Sequence, residues 1–244
     1  MKKFKDFWMR GSSKKVATKD IKSCSTHTCS MHPDGQHLHH SLRSEIACHF
    51  PYAVFSVSIS MIILGLLTSI PISNLTAHKL FHNFHFLHIV FSATGVILTF
   101  TRYSVSIFGG LLAGILIPAV FCTMSDSLLP YLGGTYLGID MKFHWCFISH
   151  LDVVLPFLVI GIINGYVLSR HFGTLKIFYS KGSHFLHIFI SAMASILYLV
   201  SYGFSDWGKY ISFVFVYLIF AVLIPCTIAD LVLPAMFAKK MKKN

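Results

Sequence analysis

Charge is what this chain has least of. Asp, Glu, Lys and Arg together make up 12% of its 244 residues, and nine of those residues are acidic. A soluble domain carries about twice that share, so an ordinary water-soluble globule is excluded. Also missing is any C-x-x-C pair: the six Cys stand at 24, 29, 48, 122, 146 and 226. Neither a zinc ribbon nor a dithiol oxidoreductase is signalled, and a disulfide framework is not expected. There is no phosphate-cradling glycine loop, no nucleotide motif and no nucleophile–base arrangement. A hydrolase or an ATP-driven pump is therefore disfavoured, and the expectation is a protein that is not an enzyme. The first 45 residues hold no apolar core of a secretory signal. The first apolar span is thus expected to stay as an anchor, with the N-terminus left in the cytoplasm.

What is present is apolar surface, with 55% hydrophobic residues and 23 Phe. Spans at roughly 51–72, 84–102, 105–124, 145–169, 184–203 and 211–236 each approach the ~20 residues that cross a hydrocarbon core as a helix. The expected fold is an all-α integral membrane protein of six transmembrane helices. Its basic residues flank these spans, so the net charge of +11 reads as topology information, and no nucleic-acid partner is expected. With six spans, 17 Lys and Arg fall on the side of the two termini, while Lys79, Lys142 and Lys209 fall opposite. The positive-inside rule then puts both termini in the cytoplasm, with a bacterial inner membrane as the expected location.

Two strings recur. His85-Phe-Leu-His88-Ile-Val-Phe-Ser92-Ala93 returns as His184-Phe-Leu-His187-Ile-Phe-Ile-Ser191-Ala192, and Cys122-Thr-Met-Ser-Asp126 with Pro130 returns as Cys226-Thr-Ile-Ala-Asp230 with Pro234. Aligning them divides the chain into a basic, His/Cys-rich tail 1–46, repeats 47–143 and 144–238 of three helices each, and a basic end 239–244. An odd number of spans per unit inverts the second copy, the arrangement of many secondary transporters. His at i and i+3, and Cys with Asp at i and i+4, share a helix face. Counting spans places His85, His88, Cys122 and Asp126 at the outer level and His184, His187, Cys226 and Asp230 at the inner one, so that His88 and His187 are not expected to share an ion. His150 and Asp152 join the outer group, with Pro156 again four residues past the Asp. Such prolines break or kink a helix. Ser92 and Ser191, with Ala93 and Ala192, read as close helix contacts.

The tail is expected to be disordered without a ligand. Its segment Thr28-Cys29-Ser30-Met31-His32-Pro33-Asp34 resembles the Thr-Cys-Pro-Met-His-Pro-Glu/Asp segment of the heavy-metal-binding modules of copper and silver transport proteins, departing from it at Ser30. The resemblance covers seven residues and implies Cys29, Met31 and His32 as ligands. Asp126-Ser-Leu-Leu-Pro130 and His150-Leu-Asp152 with Pro156-Phe157 resemble segments of multi-span bacterial heavy-metal exporters, which have more helices.

Mixed imidazole, thiolate and carboxylate donors suit borderline cations. The expected function is transport of a transition-metal or other divalent cation (Zn, Fe, Mn, Ni, Co or Cu) by alternating access, with proton antiport as a corollary because ligand binding displaces protons. Expected partners are membrane lipid and the metal ion, with a second copy in a homo-oligomer as a further candidate. Two alternatives stand beside it. One is a bis-His haem redox protein, pairing His85 or His88 with His144 or His150 and His184 or His187 with His171 or His49. The other is a non-transporting assembly factor that binds metal through its tail.

Overall fold

The computed structural model describes residues 42–68, 72–171 and 176–243, with the side chains at 42–45, 48, 67–68, 171, 176–184, 207 and 242–243 outside the description. The tail ligands Cys29, Met31 and His32 lie outside the described residues. Those described are predominantly helical, without a strand. Helix α1 runs Leu42–Thr68, α2 Asn74–Tyr103 and α3 Ile107–Thr123. A π-helical turn, Met124–Leu128, leads into α4, Leu129–Tyr136. The short α5, Cys146–Ser149, precedes α6, Leu151–His171, and α7, Lys176–Ser201. Helix α8, Trp207–Thr227, passes through a second π turn, Ile228–Val232, into α9, Leu233–Lys243.

Five helical stretches are long and apolar enough to cross a membrane: His49–Leu66, Asn74–Tyr103, Ile107–Tyr136, Leu151–Arg170 and Gly208–Met241. The remaining apolar helix, Phe185–Ser201, is 17 residues long within the described part. This is the build of an integral membrane protein. Large side chains such as Phe55, Ile62, Phe108, Leu116, Ile160 and Phe220 are exposed, as a lipid-facing surface requires.

The two recurrent strings prove to lie within longer helices than hydropathy suggests. Helix α2 starts ten residues before the expected 84, where Ser73 caps it by accepting a hydrogen bond from the Thr76 N–H, the arrangement that satisfies an otherwise orphaned donor. His78, Lys79, His82 and Asn83 are all helical; His78 and His82 are half-buried and extend an interior stripe, whereas Lys79 and Asn83 are exposed. His88 is consequently the fifteenth of the 30 residues of α2. Helix α7 likewise starts at Lys176, eight residues before the expected 184, which makes His187 its twelfth residue.

Helices α2 and α7 pack on each other at the centre. Helices α6, α3 and α9 and the second π turn lie against α2, whereas α1, α8 and α4 and the first π turn lie against α7. The α2–α6 contact is close because Gly161 and Gly165 are one turn apart, a small-xxx-small spacing that lets membrane helices approach. A Cβ on Gly161 would stand 2.6 Å from the Val90 carbonyl oxygen and 2.8 Å from Ala93 Cβ. One on Gly165 would stand 2.6 Å from Ile97 Cβ. Thr94 Oγ1 donates across this contact to the Gly161 carbonyl at 3.1 Å, and Asn164 Nδ2 donates to Thr94 Oγ1 at 3.3 Å.

Each recurrent Pro falls just after a π turn. Proline has no N–H and its ring crowds the carbonyl four residues back, here that of Asp126 or Asp230. The turn widens instead of breaking: Leu129 N–H reaches Met124 O and Leu233 N–H reaches Ile228 O, five residues back in both cases. The Gly133-Gly134 pair, which the sequence leaves open between a re-entrant segment and a surface loop, belongs to α4 and is buried against Tyr217, Met141 and Leu199.

Overpacking a closed contact typically costs about 1–3 kcal/mol. Gly161→Val and Gly165→Val should therefore lower the thermal unfolding midpoint in detergent. Gly65→Ala, where a Cβ meets nothing within 4 Å, should leave it unchanged or raise it.

Candidate metal centre

Asp126 sits in the first π turn with no exposed surface. An ionised carboxylate only accepts hydrogen bonds and has about four lone-pair positions, and all four are used. His85 Nδ1 and His88 Nδ1 approach Oδ2 at 2.9 and 2.7 Å. Ser125 Oγ and Ser191 Oγ donate to Oδ1 at 2.7 and 2.6 Å. Asp230, in the second π turn, takes His187 Nδ1 at 2.8 Å and Ser92 Oγ at 3.2 Å. Asp126 thus receives histidines from α2 and a serine from α7, and Asp230 a histidine from α7 and a serine from α2. Ser92 and Ser191 are therefore carboxylate partners and not merely small contact residues. Ala93 keeps the contact role, facing Gly161.

The outcome corrects the expected separation of the two groups. His88 Nε2 lies 2.7 Å from His187 Nε2. The groups do not stand at opposite membrane faces, because their helices begin earlier and both histidines fall near mid-helix. Cys226, nineteenth of the 34 residues of Gly208–Met241, brings its Sγ to 3.6 Å from His88 Nε2 and 3.9 Å from Ser191 Oγ. With each Nδ1–H given to a carboxylate, the two Nε2 lone pairs confront one another, an arrangement that calls for a shared proton or a cation. Holding Nδ1 on a carboxylate so that Nε2 can ligate is what supporting groups do at histidine metal sites.

The distances suit a small cation. Tetrahedral coordination with metal–N near 2.05 Å and metal–S near 2.3 Å implies about 3.3 Å between two nitrogens and about 3.6 Å between nitrogen and sulfur. The Cys226–His88 separation already has the second value. The imidazoles need only part by about 0.6 Å to reach the first. His88, His187 and Cys226 form one group of mutually close donors, and His85, His88 and Asp126 form another. His88 belongs to both through different nitrogens. Cys122 is buried in α3, close enough to act electrostatically on His88.

The other residues singled out from the sequence are placed differently. His184 lies in α7, and its side chain is outside the description. His150 has left helical geometry, with φ −135° and ψ 42°, between α5 and α6. It joins His82 and His144 in a third group of close donors, all three half-buried. Asp152 points to the exposed surface, away from both groups. Of the histidines considered for haem, His88 has both nitrogens engaged within the buried set, His150 stands with His82 and His144, and the side chains of His171 and His184 lie outside the description.

Sequence reading missed His78 and His82, and assigned no ligand role to Ser125. A signal existed for the histidines. Positions 78, 82, 85, 88 and 92 run along one face of α2 at spacings of three and four, so the H-x-x-H string is the inner part of a longer polar stripe. Comparison with protein-family models, curated proteins and solved structures finds no match. The fold and the site define the class: an all-helical membrane protein whose buried centre is a carboxylate–histidine network.

Removing one partner of a buried charged network costs about 3–5 kcal/mol, whereas a hydrogen bond between membrane helices is worth about 0.6 to 1.7 kcal/mol. Asp126→Ala should depress the unfolding midpoint in detergent well beyond Ser191→Ala. Equal shifts would mean that the histidines do not depend on the carboxylate.

Proposed function

We propose that the chain is a membrane transporter for a transition-metal cation, working by alternating access between inverted repeats 47–143 and 144–238 in a bacterial inner membrane, with both termini cytoplasmic. The observation that carries this reading is the facing pair His88 Nε2 and His187 Nε2 at 2.7 Å, one from each repeat, with Cys226 Sγ beside them. A third of the ligand set from one half and two thirds from the other makes a site that exists only while the halves are closed on it.

Several features support the repeat. Both strings return in register, both Asp–Pro segments carry a π turn at the same place, and packing partners exchange in matched pairs. Helix α6 lies on α2 as α1 lies on α7, and α9 lies on α2 as α4 lies on α7. Opening the halves would break the cross-repeat bonds Ser191–Asp126 and Ser92–Asp230 and the His88–His187 contact together. In that step the carboxylates keep their own histidines, so the ligands leave the site already oriented. Two imidazoles and a thiolate favour Zn, Co, Ni or Cu over Mn. Because a cation displaces the proton held by these donors, proton exchange in the opposite direction follows from the same residues.

Elemental analysis of the purified chain, followed by Zn²⁺ uptake into proteoliposomes, tests the reading. His88→Ala, His187→Ala and Cys226→Ser should each lose about one bound ion per chain and abolish uptake. Asp230→Asn should bind 10- to 100-fold more weakly, the usual cost of losing a supporting carboxylate. Unchanged metal content and uptake in both histidine variants would sink the proposal.

A further inference from the structure

We infer that His82, His144 and His150 form a second cation site, an all-imidazole vestibule at one mouth of the bundle, for a borderline divalent ion such as Zn²⁺, Co²⁺ or Ni²⁺. The ligands come from three separate segments: the first half of α2, the connection before α5, and the break between α5 and α6. Their donor atoms all lie within 4.8 Å of one another. His78 adds a fourth imidazole, its Nε2 standing 3.1 Å from His82 Nε2.

A purely structural role leaves this cluster unexplained. His144 Nε2 is buried and has no hydrogen-bond partner. Among the described residues no carboxylate joins the group, and Asp140 and Asp152, the nearest acidic residues along the chain, are exposed. Four imidazoles packed without an anion repel as cations and gain little from each other as neutral rings. A shared metal ion satisfies all of them.

The cluster also leads inward. Cys146 Sγ is 3.2 Å from His82 Nδ1, and His85 is an electrostatic neighbour of His82, His144 and Cys146. His85 Nδ1 is held by Asp126, while its fully buried Nε2 has no partner. Imidazoles thus succeed one another from the half-buried His78 to His88. The second repeat has no equivalent, since the positions matching His78 and His82 are Ile177 and Lys181. The vestibule is one-sided, and the positive-inside pattern puts it on the face away from the termini. Its role as an anteroom rests on the transport reading; the binding itself does not.

Co²⁺ titration of the purified full-length chain tests it, because a thiolate ligand adds a near-ultraviolet charge-transfer band that an all-imidazole site lacks. The double variant His144→Ala/His150→Ala should bind one equivalent fewer and keep the band that disappears in Cys226→Ser. Cys226→Ser should retain the vestibule equivalent. If the double variant binds as much Co²⁺ as wild type with the same affinity, the inference is overturned, whatever happens to the Cys226 band. Loss of the band alone bears on the central site only and leaves the vestibule standing. Should the double variant fail to fold, diethyl pyrocarbonate labelling of the wild-type chain with peptide mass spectrometry decides. Zn²⁺ should protect His82, His144 and His150 together, and labelling unaffected by Zn²⁺ overturns the site.

Discussion

An anion buried among membrane-crossing helices must be solvated by the protein itself. A charged group in that environment costs a few kcal/mol unless partners are supplied, and Asp126, with no exposure, meets the demand with four donors. They come from α2, from the π turn that carries the carboxylate, and from α7. Satisfying this one group fixes three elements to a common point. It also fixes the tautomer of His88, and hence the direction in which its second nitrogen faces. Asp230 repeats the device with two donors and aims His187 back along the same line. The meeting of the two imidazoles is thus a by-product of solvating two carboxylates.

The apolar packing serves this arrangement. Gly161 and Gly165 let α6 lie against the face of α2 next to the polar stripe, while Phe86, Ile89, Ala93, Ile97, Cys122 and Leu158 close the space around it. On the other side Phe81, Ile188, Leu197, Tyr198 and Leu223 do the same for α7. Tyr198 Oη donates to the Lys142 carbonyl at 2.7 Å, which ties the segment carrying His144 to the bundle. The buried His, Asp and Cys are therefore held by helices and π turns, whereas His144 lies in the connection before α5 and His150 is the single residue between α5 and α6.

Much of the buried set was legible in the sequence because it was written twice. Repetition of His, Cys and Asp at matching intervals singles out His88, His187, Cys226, Asp126 and Asp230, all of which the structure brings together. Depth was not legible. Hydropathy treats His78 and His82 as the outside of a span, but a helix lining an internal cluster can be polar on one face for its whole length. A span starting at residue 84 puts His85 near a membrane surface, and with three spans between the two strings the second copy is expected at the opposite surface. Serine posed a different difficulty. At 92 and 191 its small size suits helix contact and its hydroxyl suits a carboxylate, and only the position of the partner distinguishes the two uses. His150 leaves helical geometry just before α6, a helix that contains Pro156, and its partners lie in segments without any repeated motif.

The two π turns hold one residue more than an α-helix would need over the same length. That surplus is slack in the backbone, and it sits at both acidic positions. If a turn tightens to α geometry, the helix on one side of it rotates by about 100° relative to the other and advances by about 1.5 Å, with no strand of hydrogen bonds lost for long. Such a change would turn the carboxylate away from the serine it meets on the facing helix and would repack the helix beyond the turn. The meeting of Asp126 with Ser191, and of Asp230 with Ser92, therefore depends on the extra residue in each π turn staying in place.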